Sequence, residues 1–236
     1  MSSPNTLIFG CNALGREVAE ALLADGVELW LLDGSEQAVE HCRQLGLPAR
    51  QADALDDRVL QELGLGRSVR QVFCFFDNDA DNVFLVLSAR GLAPPGRLQI
   101  IAVADSTGGV QKLKAAGADK VIDPYETTAY RIHSQITRPL LARFSDSVLF
   151  EPNDFQVTEV VLTERSPFVG RQLSELNEAL QQNVVVLGIT DREIGSGFLF
   201  RGQYRDHHLD AGDVLVVIGP HDAVRAFRNW VNVSQD

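Results

Sequence analysis

Short apolar runs alternate with stretches of helical periodicity from residue 7 to about residue 123. The runs 7–9, 27–32, 48–52, 72–76, 98–104 and 121–122 predict strands, all but 48–52 containing β-branched or aromatic residues. Between the first two, Leu14, Val18, Ala21 and Leu22 recur at i, i+4, i+7 and i+8. That spacing lines one helix face, and Gly26 stands where a left-handed residue would close the helix. The unit repeats with Ser35 as N-cap and Gly46 as stop, then from Asp53 or Leu55 onward, from Asp79 to Gly91, and from Ser106 to Gly117. Six strands joined by crossover helices predict an α/β fold, a Rossmann-like doubly wound parallel sheet. Its binding crevice would lie at the carboxyl ends of the strands, where the strand order reverses.

The pattern changes after Pro124. A long, mostly polar helical stretch runs to about Phe144, interrupted by Pro139, and an irregular segment, 145–154, reads as a link. Runs 157–162, 183–189, 198–200 and 214–218 predict strands, while Leu173, Leu176 and Leu180 mark one helix and 223–231 another. Strands here follow one another across short turns such as Gly195-Ser196-Gly197 and Ala211-Gly212-Asp213, as in a small α+β domain with an antiparallel component. The expected organisation is therefore 1–144, a linker at 145–154, and a second domain at 155–236. A chain of 236 residues accommodates this, since single cores stop growing near ~250 residues.

The strongest local motif is Gly10-Cys11-Asn12-Ala13-Leu14-Gly15, placed directly after the first strand and opening the first helix. It is G-x-N-x-x-G, one residue short of the dinucleotide fingerprint. In that fingerprint the first glycine makes the turn, the second lets the backbone approach the pyrophosphate, and the third allows close helix packing. Asn12 replaces the second glycine, although Asn tolerates left-handed dihedrals better than other side chains. Asp33 ends the second strand, 23 residues beyond Gly10, near the spacing of about 20 at which a carboxylate accepts ribose hydroxyls. A carboxylate there repels a 2′-phosphate, which favours NAD(H) or another adenine nucleotide (AMP, ADP, ATP) over NADP. The competing reading is a purely structural turn. The βαβ setting and the placement of Asp33 favour the nucleotide.

Asp53 follows the third strand, and Asp77, Asp79 and Asp81 follow the fourth, all at the carboxyl edge. These residues suit adenine and ribose recognition, or a divalent cation held by carboxylates. Alternatively, Asp53 and one of Asp77 and Asp79 cap helix N-termini without any ligand. No EF-hand spacing supports calcium. There is no G-x-S-x-G elbow or H-E-x-x-H, and Gly91 to Gly96 continues as Arg97-Leu98 where a P-loop requires Lys and Ser or Thr. Of the five histidines, the pair His207-His208 sits in a polar turn region and reads as solvated; with Asp206 and Asp210 it would either hold an ion or simply solvate a turn.

Composition narrows the partners. With 45% apolar and 22% charged residues the chain is ordinary globular material, and 21 Lys+Arg against 32 Asp+Glu give a net charge of -11. Such a surface repels phosphate backbones and anionic headgroups, so nucleic acid and direct membrane adsorption are not expected. Cys11, Cys42 and Cys74 lie far apart without a C-x-x-C pair. Together with the lack of a signal-like N-terminus or a run near ~20 apolar residues, this predicts a cytoplasmic chain.

In both halves the order of motifs resembles the RCK family, regulators of potassium conductance, also called TrkA-N plus TrkA-C domains. The first half contributes the G-x-N-x-x-G turn, Asp33, Ala52-Asp53-Ala54, Asp77-Asn78-Asp79-Ala80-Asp81-Asn82, and Gly117 through Pro124. The segment from Asp77 through Ala89 looks like that of Kch-type bacterial potassium channels. The second half contributes Ser166-Pro167-Phe168-Val169-Gly170-Arg171-Gln172-Leu173 and Leu209-Asp210-Ala211-Gly212-Asp213-Val214. The resemblance implies a non-catalytic cytoplasmic gating module that forms dimers, often octameric rings, beneath a membrane-embedded potassium channel or transporter, with stretch 124–144 as the crossover helix. It further implies a nucleotide held by Gly10, Cys11, Asn12, Ala13, Leu14, Gly15, Asp33, Asp53, Ala54, Asp77 and Asn82. Two departures stand out: Ala13 where ATP-responsive relatives carry arginine, and Val103 where many carry arginine. An NAD-dependent oxidoreductase and a scaffold module without nucleotide are the alternatives.

Overall fold

The computed structural model describes residues 4–93, 95–149, 155–173, 176, 183–191, 198–200 and 207–232. The chain divides into two compact units, Met1–Ile132 and His133–Asp236.

In the first unit six parallel strands pair in the order β3-β2-β1-β4-β5-β6. They are β1 (Thr6–Phe9), β2 (Leu29–Asp33), β3 (Ala49–Gln51), β4 (Gln71–Cys74), β5 (Gln99–Val103) and β6 (Lys120–Ile122). Helices α1 (Ala13–Ala24), α2 (Glu36–Gln44), α3 (Asp57–Glu62), α4 (Asp79–Leu92) and α5 (Thr107–Ala116) make the crossovers. The order reverses between β1 and β4, so the crevice of the expected doubly wound sheet opens there. Every residue of β1 is buried, as befits a central parallel strand covered on both faces. One core beneath the sheet gathers Leu7, Phe9, Val72, Leu85, Ile100 and Leu113, and the other gathers Ile8, Leu31, Val39, Cys42 and Phe73.

Helix boundaries follow local chemistry. Ser35 caps α2 and Ser106 caps α5, as their spacing predicts. Two expected caps shift. Asp56, not Asp53, caps α3 by accepting from Arg58 N, and Asn78, not Asp77 or Asp79, caps α4 by accepting from Asp81 N. Helix α4 also runs through Gly91 to Leu92, and Gly117, with φ +106°, closes α5. The guanidinium of Arg90 ties three elements together, donating to the carbonyls of Gly117 and Leu98 and pairing with Asp119 at 2.7 Å.

The long stretch after Pro124 forms two helices, α6 (Pro124–Thr137) and α7 (Pro139–Leu149), separated at Pro139, whose missing N–H cannot continue the ladder. The segment expected to be irregular from 145 is helical as far as Leu149, and 150–154 lie outside the described residues. Helix α6 has no buried residue, and Tyr125, Tyr130, Ile132, Ile136, Leu140, Leu141 and Phe144 are exposed along α6 and α7.

The second unit holds an antiparallel sheet ordered β7-β10-β8-β9: β7 (Phe155–Val161), β8 (Val185–Thr190), β9 (Phe198–Phe200) and β10 (Val214–Pro220). Helix α8 (His221–Asn232) buries Val224, Phe227 and Val231 at helical spacing against a core that includes Val160, Leu215 and Val217. Leu173 and Leu176 are buried in that core, whereas Leu180 lies outside the described residues. One expectation is overturned. His207 is not a solvated loop residue: its side chain is 9% exposed, with Nε2 3.5 Å from Asp213 Oδ2 and 3.7 Å from Asp191 Oδ2. His208 is exposed. No helix among the described residues is long and apolar enough to cross a membrane.

Candidate functional site

The loop after β1 is built by two glycines that tolerate no side chain. Gly10 has φ +115°, and a Cβ there would strike the Phe75 carbonyl oxygen; at Gly15 it would strike the Gly10 carbonyl oxygen. The first contact lays the loop against the end of β4, and the second seats α1 on the end of β1.

Asn12 adopts ordinary extended geometry (φ -81°, ψ -175°) rather than the left-handed conformation its substitution for glycine brings to mind. It caps α1, its Oδ1 accepting from Gly15 N at 2.9 Å, while its Nδ2 donates to the Phe75 carbonyl at 2.6 Å and to Asp77 Oδ1 at 2.7 Å. One side chain thus joins the loops of β1 and β4 across the point of strand reversal. The Cys11 side chain is buried in the core, and burial, followed by the neighbouring Cys42 thiol, pushes its own thiol well above the usual range. Its contribution to the loop is therefore made through the backbone.

Asp33 ends β2 as predicted and spends both carboxylate oxygens on backbone donors, Oδ2 on Cys11 N and Oδ1 on Ser35 N, each at 2.9 Å. It fixes the glycine loop against the start of α2. Asp53 accepts from Leu55 N at 2.8 Å and lines a cleft of about 680 Å³ with Gly34, Arg50, Gln51, Ala52 and Val59. Arg50 lies over the Trp30 ring, 4.1 Å from its centroid, and Gln51 donates to Gly34 O at 2.9 Å.

A second cleft, about 320 Å³, opens beside the loop. Asn12, Ala13, Leu14 and Asp77 meet there with Phe75, Phe76, Val103, Asp105 and Tyr125. Among the described residues its wall carries two carboxylates and no Lys or Arg.

Two expected site residues lie elsewhere. Asn82 is 1% exposed; its Oδ1 accepts from Phe76 N, and its Nδ2 donates to the carbonyls of Phe76 and Val103. Its amide is consumed in tying β4 to β5, because a buried amide must find partners inside the protein. Ala54 is packed in the core, 7% exposed. Asp79 serves a structural purpose as well: it accepts from Asp105 N at 2.7 Å and from Ser106 Oγ at 2.6 Å, placing an anion at the start of α5. Asp81 accepts from Asn78 Nδ2. Among the described residues no three His, Cys, Asp or Glu side chains gather so as to hold a metal ion.

Arg50, Asp105 and Tyr125 were not singled out in the sequence as site residues. Asp105 has a readable signal, since it follows β5 much as Asp33 ends β2. Tyr125 reaches the cleft only because α6 begins directly after β6.

The chain matches sequence models of two domains, the TrkA-N domain over residues 6–124 and the TrkA-C domain over residues 157–232. It is similar to two proteins of Methanocaldococcus jannaschii. "Probable potassium channel protein 2" is 26% identical over 235 residues, and "Potassium channel protein 1" is 23% identical over 230. Each alignment covers 95% of this chain and 66% of the relative, so the chain spans just under two thirds of their length. Among solved structures, the TrkA-N domain of the inner membrane protein ybaL from Escherichia coli superimposes with a TM-score of 0.52 at 23% identity. That match covers 58% of this chain and 99% of that one, and it shows the shared fold of the first unit.

Proposed function

The chain belongs to the family built from TrkA-N and TrkA-C domains, and from that premise we propose that it is the regulatory module of a potassium channel or transporter, sensing NAD(H) or another adenine nucleotide and coupling its binding to gating. The channel partner rests on the two potassium channel proteins of Methanocaldococcus jannaschii, whose alignments cover 95% of the chain. The nucleotide rests chiefly on one observation: Asp33, at the carboxyl end of β2, is hydrogen-bonded to the backbone of the glycine loop at the reversal of strand order. Adenosine would enter the cleft lined by Gly34, Arg50 and Asp53, with its phosphate toward the start of α1.

The module is non-catalytic and acts at the cytoplasmic face of the membrane. It forms a homodimer through the exposed apolar side chains of α6 and α7, and dimers assemble into an octameric ring. Regulation then requires only that the nucleotide bind one arrangement of the assembly better than another.

Calorimetric titration with NAD+, NADH, AMP, ADP and ATP tests the ligand. Saturable binding that disappears in Asp33→Ala, in a protein that remains folded by circular dichroism, supports the sensor. Silence with all five would transfer the module to a scaffolding role. The Asn12 bond to Asp77 favours that second reading.

A further inference from the structure

The adenine-nucleotide reading leaves open how much of a nucleotide the crevice can admit, and the hydrogen bonds of the loop answer that. In a dinucleotide site the ligand crosses from one half of the sheet to the other over the glycine loop, with two phosphates lying against the backbone where a second glycine gives them room. In this chain the same place carries the Asn12 side chain. It is held on three sides: Nδ2 to the Phe75 carbonyl at 2.6 Å, Nδ2 to Asp77 Oδ1 at 2.7 Å, and Oδ1 to Gly15 N at 2.9 Å. The amide spans the reversal point between β1 and β4, along the line a dinucleotide would follow.

The loop's supply of donors points the same way. Gly10 N is bonded to Leu32 O, Cys11 N to Asp33 Oδ2, Gly15 N to Asn12 Oδ1, and Arg16 N to Asn12 O. Among the described residues this leaves the N–H groups of Asn12, Ala13 and Leu14 at the start of α1 without a protein acceptor. That set suits one phosphoryl group at a helix N-terminus. Beyond Asn12, the cleft that would receive the second half of a dinucleotide presents Asp77 and Asp105, with no Lys or Arg among the described residues of its wall. A second phosphate brought past Asn12 would meet like charge.

We infer that this site takes adenosine mononucleotides carrying a single phosphate and disfavours dinucleotides, with the Asn12 to Asp77 bond as the barrier between the two halves of the crevice. The inference rests on the nucleotide reading above and narrows it. Adenosine occupies the β1-β2-β3 side, where the cleft of about 680 Å³ lies, and the phosphate nearest the ribose meets the start of α1. Asn12 then determines specificity by position, acting as the barrier itself.

The test compares AMP, ADP, NAD+ and NADH by calorimetry on wild type, Asn12→Gly and Asp77→Ala. Wild type is expected to bind AMP at least about tenfold more tightly than ADP or either dinucleotide, the scale of one lost hydrogen bond. Asn12→Gly removes the barrier and restores room for a second phosphate, so dinucleotide affinity should rise selectively and close that gap. Asp77→Ala keeps the α1 cap and should move in the same direction, so the test survives if Asn12→Gly folds poorly. Wild type binding NAD+ or NADH as tightly as AMP would overturn the inference, as would parallel shifts for all four ligands in both variants. In either case the adenine-nucleotide reading would stand. Failure of the folded wild-type protein to bind any of the four would remove that reading and this inference with it.

Discussion

The carboxylate of Asp33 accepts the backbone N–H of Cys11 at 2.9 Å, so a residue at the end of β2 sets the shape of the loop that leaves β1. Its other oxygen holds Ser35 N at the start of α2. An amide puts an NH2 donor in place of one of the two oxygens, so one of the two N–H groups would face another donor. Asp33→Asn should therefore lose one of them, lower stability by about 1–2 kcal/mol, and weaken adenine-nucleotide binding without abolishing it. Urea denaturation alongside calorimetry distinguishes the two effects.

Gly15 has no room for a methyl group, because a Cβ would press on the Gly10 carbonyl oxygen, which is backbone and cannot swing aside. Gly15→Ala should force α1 away from β1 and destabilise the first unit by about 1–3 kcal/mol, the usual range for overpacking. Gly34→Ala is the control, since nothing lies within 4 Å of its added Cβ. Equal denaturation midpoints for the two variants would contradict the steric argument.

Asp79 supplies the start of α5 with a negative charge and two hydrogen bonds, to Asp105 N and Ser106 Oγ. Its replacement by alanine should cost about 2 kcal/mol. The loss should appear as faster amide hydrogen exchange in the first turn of α5, with α1 and α2 unchanged.

Burial pushes the Cys74 thiol far above its usual range, and burial together with Cys42 does the same for Cys11. The folded state holds these protons more tightly than the unfolded state, in which a thiol titrates near about 8.5. The stabilisation is therefore complete below that pH and declines as pH rises past it. Denaturation midpoints should fall between pH 8 and 10. At pH 8 an aromatic disulfide reagent should label Cys11 and Cys74 no faster than the chain unfolds.

Most of the parallel sheet was legible because its apolar runs are brief and separated by glycine or capping residues: Gly26 and Gly46 take left-handed φ, and Ser35 and Ser106 are caps. The glycine loop and Asp33 were legible because their roles depend on fixed distances along the chain. Contacts between distant segments were not. Nothing in the polar neighbourhood of His207 predicts its burial, which depends on Asp191 and Asp213 arriving from other parts of the fold. Asn82 is a candidate ligand residue only through the family resemblance, and its partners include Val103 at the end of β5. The shift of caps from Asp53 to Asp56 and from Asp77 or Asp79 to Asn78 has a local cause. Several carboxamides and carboxylates lie within a few residues of each helix start, and the cap is whichever reaches an N–H two or three residues on.

Dimerisation through the exposed side chains of α6 and α7 is open to a simple check. Ile136 and Leu140 are 77% and 80% exposed, and a charge at either would be costly to bury against a second copy. Ile136→Glu or Leu140→Glu should shift the sedimentation profile toward monomer while leaving the near-ultraviolet spectrum of the folded units intact. A profile unchanged in both variants would place the contact between copies elsewhere.

Helix α6 spans fourteen residues without one of them buried in its own chain. A helix of that length draws little stability from backbone hydrogen bonds alone, since isolated helices below about 12–15 residues are marginal in water. Were the proposed pairing of copies to supply the free energy that keeps it wound, that free energy would enter as a binding term, and binding terms follow mass action. Whether α6 is helical would then be a property of the solution as well as of the sequence. On dilution of such a paired protein the segment should fray before either sheet loosens, so that protein concentration itself would set how much of α6 is wound.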